Sequence, residues 1–259
     1  MSKLSITDRV PDELSPFDAP KVRLSGQVAS RCVISSRDFT LSLWRHQLAA
    51  GAALTVDGPA EDHVFYVLTG DMRVGATPIE PGGAASIGRG ATAELSGGAA
   101  GATLLHFIGH AATRPDRAGG CVHLMRTGWT ERSADRRHTL YFDSGCPTCA
   151  VWLHRSGSGS GRFAAPHHHT EDEIICVVEG DLDLGTRRIA AGGAAAVGRE
   201  MVYSFTSGEA GLTFVNFRQA DPFFVPKDAS QKAPESERKL LRARLESARA
   251  EREAGSAAG

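Results

Sequence analysis

The sequence predicts an all-β protein, two tandem jelly-roll barrels followed by a short C-terminal helix. Three observations carry this. The chain falls onto itself when shifted by 110 residues, so that His63 lands on Glu173. Each copy consists of strand-length runs rich in β-branched and aromatic residues, punctuated by Gly, Asp or Pro. No amphipathic helical period interrupts those runs before Pro234.

The repeat is the firmest of the three. "HVFYVLTGDMRVGATPIEPGGAASIGR" (His63 to Arg89) aligns without a gap to "EIICVVEGDLDLGTRRIAAGGAAAVGR" (Glu173 to Arg199). Gly70, Asp71, Gly75, Gly82, Gly83 and Gly88 all recur in the second copy. Apolar positions exchange conservatively, Val64 with Ile174 and Met72 with Leu182 among them. Turn spacing and strand pattern are kept together, which points to duplication of a whole domain. "VFYVLTG", "MRVG", "AASIG" and "TLLHFIG" read as strands, and their regular short spacing implies a sandwich or jelly roll. The expected organisation is an extended arm over 1–37, a first barrel over 38–113 and a linker over 114–136. A second barrel over 137–226 and a helical tail over 227–259 follow. The tail is charged, with Leu240, Leu241, Leu245 and Ala248 forming a narrow apolar stripe.

Composition fits this reading. With 259 residues the chain can bury one large core or two ordinary ones. Its formal charge of -1 gives no electrostatic reason to expect nucleic acid or an anionic membrane surface. No apolar run approaches the roughly 20 residues of a membrane span. The opening "MSKLSITDRVPDELSPFDAPK" lacks the apolar stretch of a signal peptide, so a cytoplasmic location is expected. Five cysteines, an odd number, argue against a disulfide framework. Cys146 and Cys149 form a C-x-x-C pair, but no second pair completes a zinc site. They read as two thiols at the entrance to a strand.

Chemistry concentrates in "HHHTEDE", His167 to Glu173. On a strand His167 and His169 share one face while His168 takes the other. Glu173 returns to the face of the pair if the chain bends locally at "TED". Two imidazoles and a carboxylate with open positions suit a divalent first-row metal, and non-haem Fe(II) in particular.

These residues, with "VVEG" and "GG" after them, resemble the first motif of the cupin superfamily: His-x-His, three or four residues, Glu, six residues, Gly. The duplicated chain resembles a bicupin, of RmlC-like jelly-roll type, over Asp38–Gly109 and Thr148–Arg218. The resemblance implies metal ligation by His167, His169 and Glu173. It also implies a fourth histidine at the position of Tyr203, and here the sequence departs from the family. Tyr203 is expected as a hydrogen-bond donor or acid rather than a ligand. His154 and Asn216 are expected to face the cavity, His154 being the better replacement ligand, and His168 to lie behind the metal ligands or in solvent. In the first copy Asp57, Pro59, His63 and Ala93 stand at the four positions, so that site has decayed. His63 and His106 are expected to be hydrogen-bonded side chains.

The function expected from this is a metal-dependent enzyme acting on a small molecule, as a dioxygenase-type oxidoreductase with Glu173 and Tyr203 at the reacting centre. Fe(II) is favoured over Mn, Ni, Cu or Zn. Isomerase or lyase chemistry, or a non-catalytic binding protein, are the alternatives. The expected partner is a small-molecule substrate, with no nucleic acid or membrane, in a monomer or homodimer.

Overall fold

A computed structural model describes residues 3–37, 39–110, 118–133, 136–143, 146, 148–149, 151–219 and 224–227. These form strands β1 to β19 in chain order, in two sheets, with no helix among the described residues. The expected C-terminal helix lies outside the described residues.

Each barrel is built on two long antiparallel strands. In the first they are β6 (Asp62–Val74) and β9 (Thr92–Gly109); in the second, β15 (Glu173–Leu184) and β18 (Tyr203–Gln219). Their apolar runs do not alternate with polar residues because both faces are buried. Phe65 and Val67 point into the core of the first barrel, and Ile175 and Val177 into that of the second. The intervening Val64, Tyr66, Ile174 and Cys176 join a third core between the barrels. There the fully buried rings of Phe107 and Phe217 meet at a centroid distance of 5.2 Å. Each contributes roughly 1.5–3 kcal/mol by leaving water.

The repeated glycines have a steric cause. Gly70 and Gly180 both sit at φ 72°, beside register shifts in β6 and β15. A Cβ on either would collide with a backbone carbonyl oxygen, that of Gly101 or of Gly211. Glycine thus lets the long strand bend and continue around the barrel. Asp62 and Asp172 are equivalent as well: each accepts a hydrogen bond from the backbone N–H of an arginine, Arg89 at 3.1 Å and Arg199 at 2.9 Å.

The segments outside the repeat are woven into the barrels. Within 1–37, β2 (Val22–Ser25) pairs with β5 (Ala53–Asp57), and β3 (Val28–Ile34) with β4 (Leu41–Leu48). By contrast β1 (Leu4–Thr7) crosses to the second barrel and pairs with β17 (Ala194–Val197). Within 114–136, β10 (Val122–Met125) reaches back to β8 (Ala84–Ile87) of the first barrel. The connector then forms β11 (Trp129–Arg132), which pairs with β12 (Arg136–Phe142) of the second. β8 and β17 are repeat equivalents, so each barrel receives one strand from outside the repeat on the same edge.

Candidate functional site

Three strands of the second barrel converge on its mouth: β14 (Phe163–His169), β15 and β18. The period of two holds along β14. His167 and His169 are buried, whereas the half-buried His168 turns away toward Glu200. Its Nδ1 lies 3.1 Å from Glu200 Oε2, off the line that a hydrogen bond needs. Cross-strand register supplies the other groups: Tyr203 lies opposite His167, Arg218 opposite Glu173 and Asn216 opposite His154. The Tyr203 ring packs on His167 at 4.5 Å, and Phe224, from the short strand β19 (Phe224–Pro226), stacks on the same imidazole at 4.6 Å.

Glu173 is 1% exposed and carries its charge. Burial opposes ionisation, but the Arg218 guanidinium and then His169 outweigh it, with hydrogen bonds from Tyr203 and Asn216 adding to the pull. The carboxyl is held down to about 2. Its Oε2 accepts from Asn216 Nδ2 at 2.7 Å, from Arg218 Nη2 at 2.8 Å and from Arg218 Nε at 3.1 Å. Oε1 is buried with no hydrogen bond, 3.9 Å from His169 Nε2. Arg218 Nη2 also lies 3.0 Å from His169 Nε2, which makes that nitrogen the acceptor.

These residues border a cavity of about 470 Å³. Among the described residues, Arg136, Arg162 and Arg218 line it together with one carboxylate, that of Glu173. Phe205, Phe214 and Ile175 supply apolar wall. Burial lowers the pKa of His167 and drives that of His154 well below the usual imidazole value. Trp152 Nε1 donates to His154 Nδ1 at 2.8 Å, so the proton of this neutral ring sits on Nε2. His154 therefore brings a donor, not a lone pair, to the cavity it lines.

The donor set fits a divalent metal in its chemistry. His167 Nδ1 donates to the Ala165 carbonyl at 2.6 Å, which leaves Nε2 as its lone pair. The orphaned Glu173 Oε1 offers a buried, ionised oxygen. Arg218 is the competing cation: a metal taking His169 Nε2 displaces the guanidinium from that nitrogen. Among the described residues, the group whose ligand atoms all lie within 4.8 Å of one another is a different one, Cys121, His123 and Cys149. His167, His169 and Glu173 stand wider apart.

In the first barrel the corresponding residues form a ladder. Ser30 Oγ meets His46 Nδ1 at 2.8 Å, His46 Nε2 meets His106 Nδ1 at 3.1 Å, and His106 Nε2 meets His63 Nδ1 at 2.9 Å. His63 and His106 replace Glu173 and Asn216. Phe17, from the arm, packs edge-on against His46 at 4.8 Å, and Phe65 stacks on His106 at 4.1 Å. Both histidines singled out in the sequence are thus hydrogen-bonded, and aromatic rings fill the space beside them.

Sequence reasoning missed the three arginines. Arg218 was legible in principle, since it is two residues beyond Asn216 on one strand and so shares its face. Arg136 and Arg162 come from the ends of other elements, and no local pattern marks them.

No protein-family model matches the sequence, and no curated protein does. Solved structures match in fold. A mutant of the Bacillus subtilis oxalate decarboxylase superposes with a TM-score of 0.66 at 12% identity, over 91% of this chain and 86% of that one. The Lactobacillus farciminis oxalate decarboxylase, in its formate complex, gives 0.64 at 11% identity, over 86% and 92%. The protein Ylba from E. coli gives 0.63 at 12% identity, over 84% and 90%. The Bacillus enzyme carries Mn(II) centres. The shared property is the fold: two cupin barrels in one chain.

Proposed function

Starting from a bicupin fold with one polar barrel mouth and one filled with aromatic rings, we propose that this protein is a metal-dependent enzyme acting on a small carboxylate-bearing molecule in its second barrel. The observation that carries the reading is the cavity's lining, which among the described residues brings three guanidinium groups together with one buried carboxylate. An anionic substrate group suits a lining rich in guanidinium groups, which bind carboxylates through charge-assisted hydrogen bonds. His167, His169 and Glu173 would hold the metal. When bound, it supplies Lewis-acid chemistry at a substrate oxygen.

The other residues have roles set by their chemistry. Arg162 and Arg136 bind and orient the substrate carboxylate. Arg218 keeps Glu173 ionised. Phe205, Phe214 and Phe224 exclude water from the cavity. Tyr203, whose hydroxyl reaches the Glu173 carboxylate, donates or accepts the proton of the reaction. A lyase step such as decarboxylation, leaving a carbanion for Tyr203 to protonate, suits an arginine-lined site. The oxalate decarboxylases that share the fold act on a small dicarboxylate of this kind. Dioxygenase chemistry is the second reading, favoured by the two-histidine, one-carboxylate donor set.

The test uses protein stripped of metal and reloaded separately with Mn(II) and Fe(II). Each form is incubated with a panel of small mono- and dicarboxylates, oxalate included, while CO2 release and O2 uptake are followed together. CO2 release without O2 uptake supports the lyase reading, and coupled O2 consumption moves the assignment to a dioxygenase. An Arg162→Gln variant is expected to raise KM about tenfold or more with a smaller change in kcat. Absence of both turnover and carboxylate binding overturns the proposal, and binding without turnover reduces it to a carboxylate-binding protein.

A further inference from the structure

Away from the cavity, the connector between the barrels gathers a second set of metal-ligand side chains. The C-x-x-C pair lacked a partner in the sequence, and the fold supplies one. Cys121 immediately precedes β10 and His123 lies within it, two residues on. Pairing of β10 with β8, His123 opposite Ser86, fixes this segment against the first barrel. Cys149, 2% exposed, precedes β13 (Val151–Ser158) of the second barrel. The ligand atoms of Cys121, His123 and Cys149 all lie within 4.8 Å of one another. Cys146 Sγ is 3.3 Å from His123 Nε2. Thr148 Oγ1 touches both, at 3.1 Å from the sulfur and 3.0 Å from the imidazole. Gly88 holds the remaining side: its N–H donates to the Cys121 carbonyl at 2.9 Å, and a Cβ there would crowd Cys121 Sγ at 3.1 Å.

We propose that Cys121, His123, Cys146 and Cys149 bind one zinc ion as a closed Cys3His site, clipping the connector to the entrance of the second barrel. Zinc needs sulfurs at about 2.3 Å and an imidazole nitrogen at about 2.0–2.1 Å, which puts ligand atoms roughly 3.5–4 Å apart. Cys121, His123 and Cys149 reach that by a contraction of about 1 Å, while Cys146, outside that group but already 3.3 Å from His123 Nε2, moves in from its side. A nitrogen and sulfur donor set selects zinc over ions that prefer oxygen, and four protein ligands leave no open position for substrate. The site is therefore structural. It ties β10, held on the first barrel, to the residues that start β13, and so couples folding of the connector to metal binding. This assignment is independent of the chemistry in the cavity.

The experiment uses untagged full-length protein purified under reducing conditions. Elemental analysis is expected to give one zinc per chain, retained in a His167→Ala/His169→Ala double variant and lost in a Cys121→Ser/Cys149→Ser double variant. X-ray absorption on the wild type is expected to show a sulfur-rich shell near about 2.3 Å. Replacement by Co(II) should give thiolate-to-cobalt charge-transfer absorption. Chelation should lower the thermal unfolding midpoint of the wild type. The wild-type spectra decide the matter even if the serine variant does not fold. Wild-type protein offered Zn(II) and Co(II) that shows neither sulfur ligation nor the charge-transfer band overturns the proposal. So does a disulfide among Cys121, Cys146 and Cys149 in the reduced preparation.

Discussion

Arg218 decides the electrostatics of the second barrel. It neutralises a carboxylate that is 1% exposed, and removing one partner of such a buried pair strands the other charge. An Arg218→Met variant is expected to lose roughly 3–5 kcal/mol of stability when metal-free. Added Mn(II) should restore part of that loss, because a divalent cation takes over the counter-charge. Urea denaturation with and without metal checks both halves. The histidine ladder of the first barrel gives a second prediction at this scale. Burial holds His46 down to about 3 and His63 to about 4, and keeps His106 well below its usual range. Unfolded imidazoles titrate near about 6.5, so below that pH the unfolded chain takes up protons that the folded barrel refuses. Stability is therefore full above pH ~6.5 and falls as the pH drops toward 4, by about 1.4 kcal/mol per pH unit for each such histidine. Urea unfolding at pH 7, 6 and 5 measures the slope, and His46→Gln should reduce it by about one proton. A flat profile would mean that the ladder is already protonated in the fold.

Among the elements, the long strands carry the architecture, and their glycines carry the bend. Gly180→Ala drives a methyl into the Gly211 carbonyl at φ 72°, so a loss of about 2–4 kcal/mol is expected, with Gly70→Ala behaving alike in the first barrel. Glu200 is the converse case. It occupies φ 62° where the first copy has Gly90 at φ 75°. Glu200→Gly should be neutral or stabilise by up to about 1 kcal/mol, because it relieves a left-handed backbone strained for a side chain. Thermal denaturation of the paired variants compares the two effects. The long strands were legible from their apolar, β-branched runs, and the shared face of His167 and His169 from the period of two. That Arg218 of β18 pairs with Glu173 was not, because register between residues 45 apart in sequence is set by the sheet rather than by either strand.

For the molecule as a whole, the arm and the connector cross between the barrels. β1 covers the edge of β17 and β10 covers that of β8, so each barrel borrows a strand from outside its own repeat. Deleting residues 3–12 removes β1 and uncovers an apolar edge made of Ala194–Val197. The truncated protein is expected to unfold at lower temperature and to self-associate with rising concentration, measured by calorimetry and light scattering. An unchanged midpoint would show that β1 is dispensable. The short, partly exposed strands of the arm gave no period to read, which is why 1–37 looked like an extended segment.

The sequence by itself determined the duplication, the all-β class and the His-x-His…Glu cluster on one barrel, since turn glycines and a period of two are local properties of the chain. Tertiary structure decided everything that depends on residues far apart in sequence. Arg136, Arg162 and Arg218 meet in one cavity only through strand register and barrel closure. Cys121 and His123 meet Cys146 and Cys149 only because β10 turns back onto the first barrel before the second begins. A chain records the chemistry of its side chains locally, but their company is set by long-range pairing.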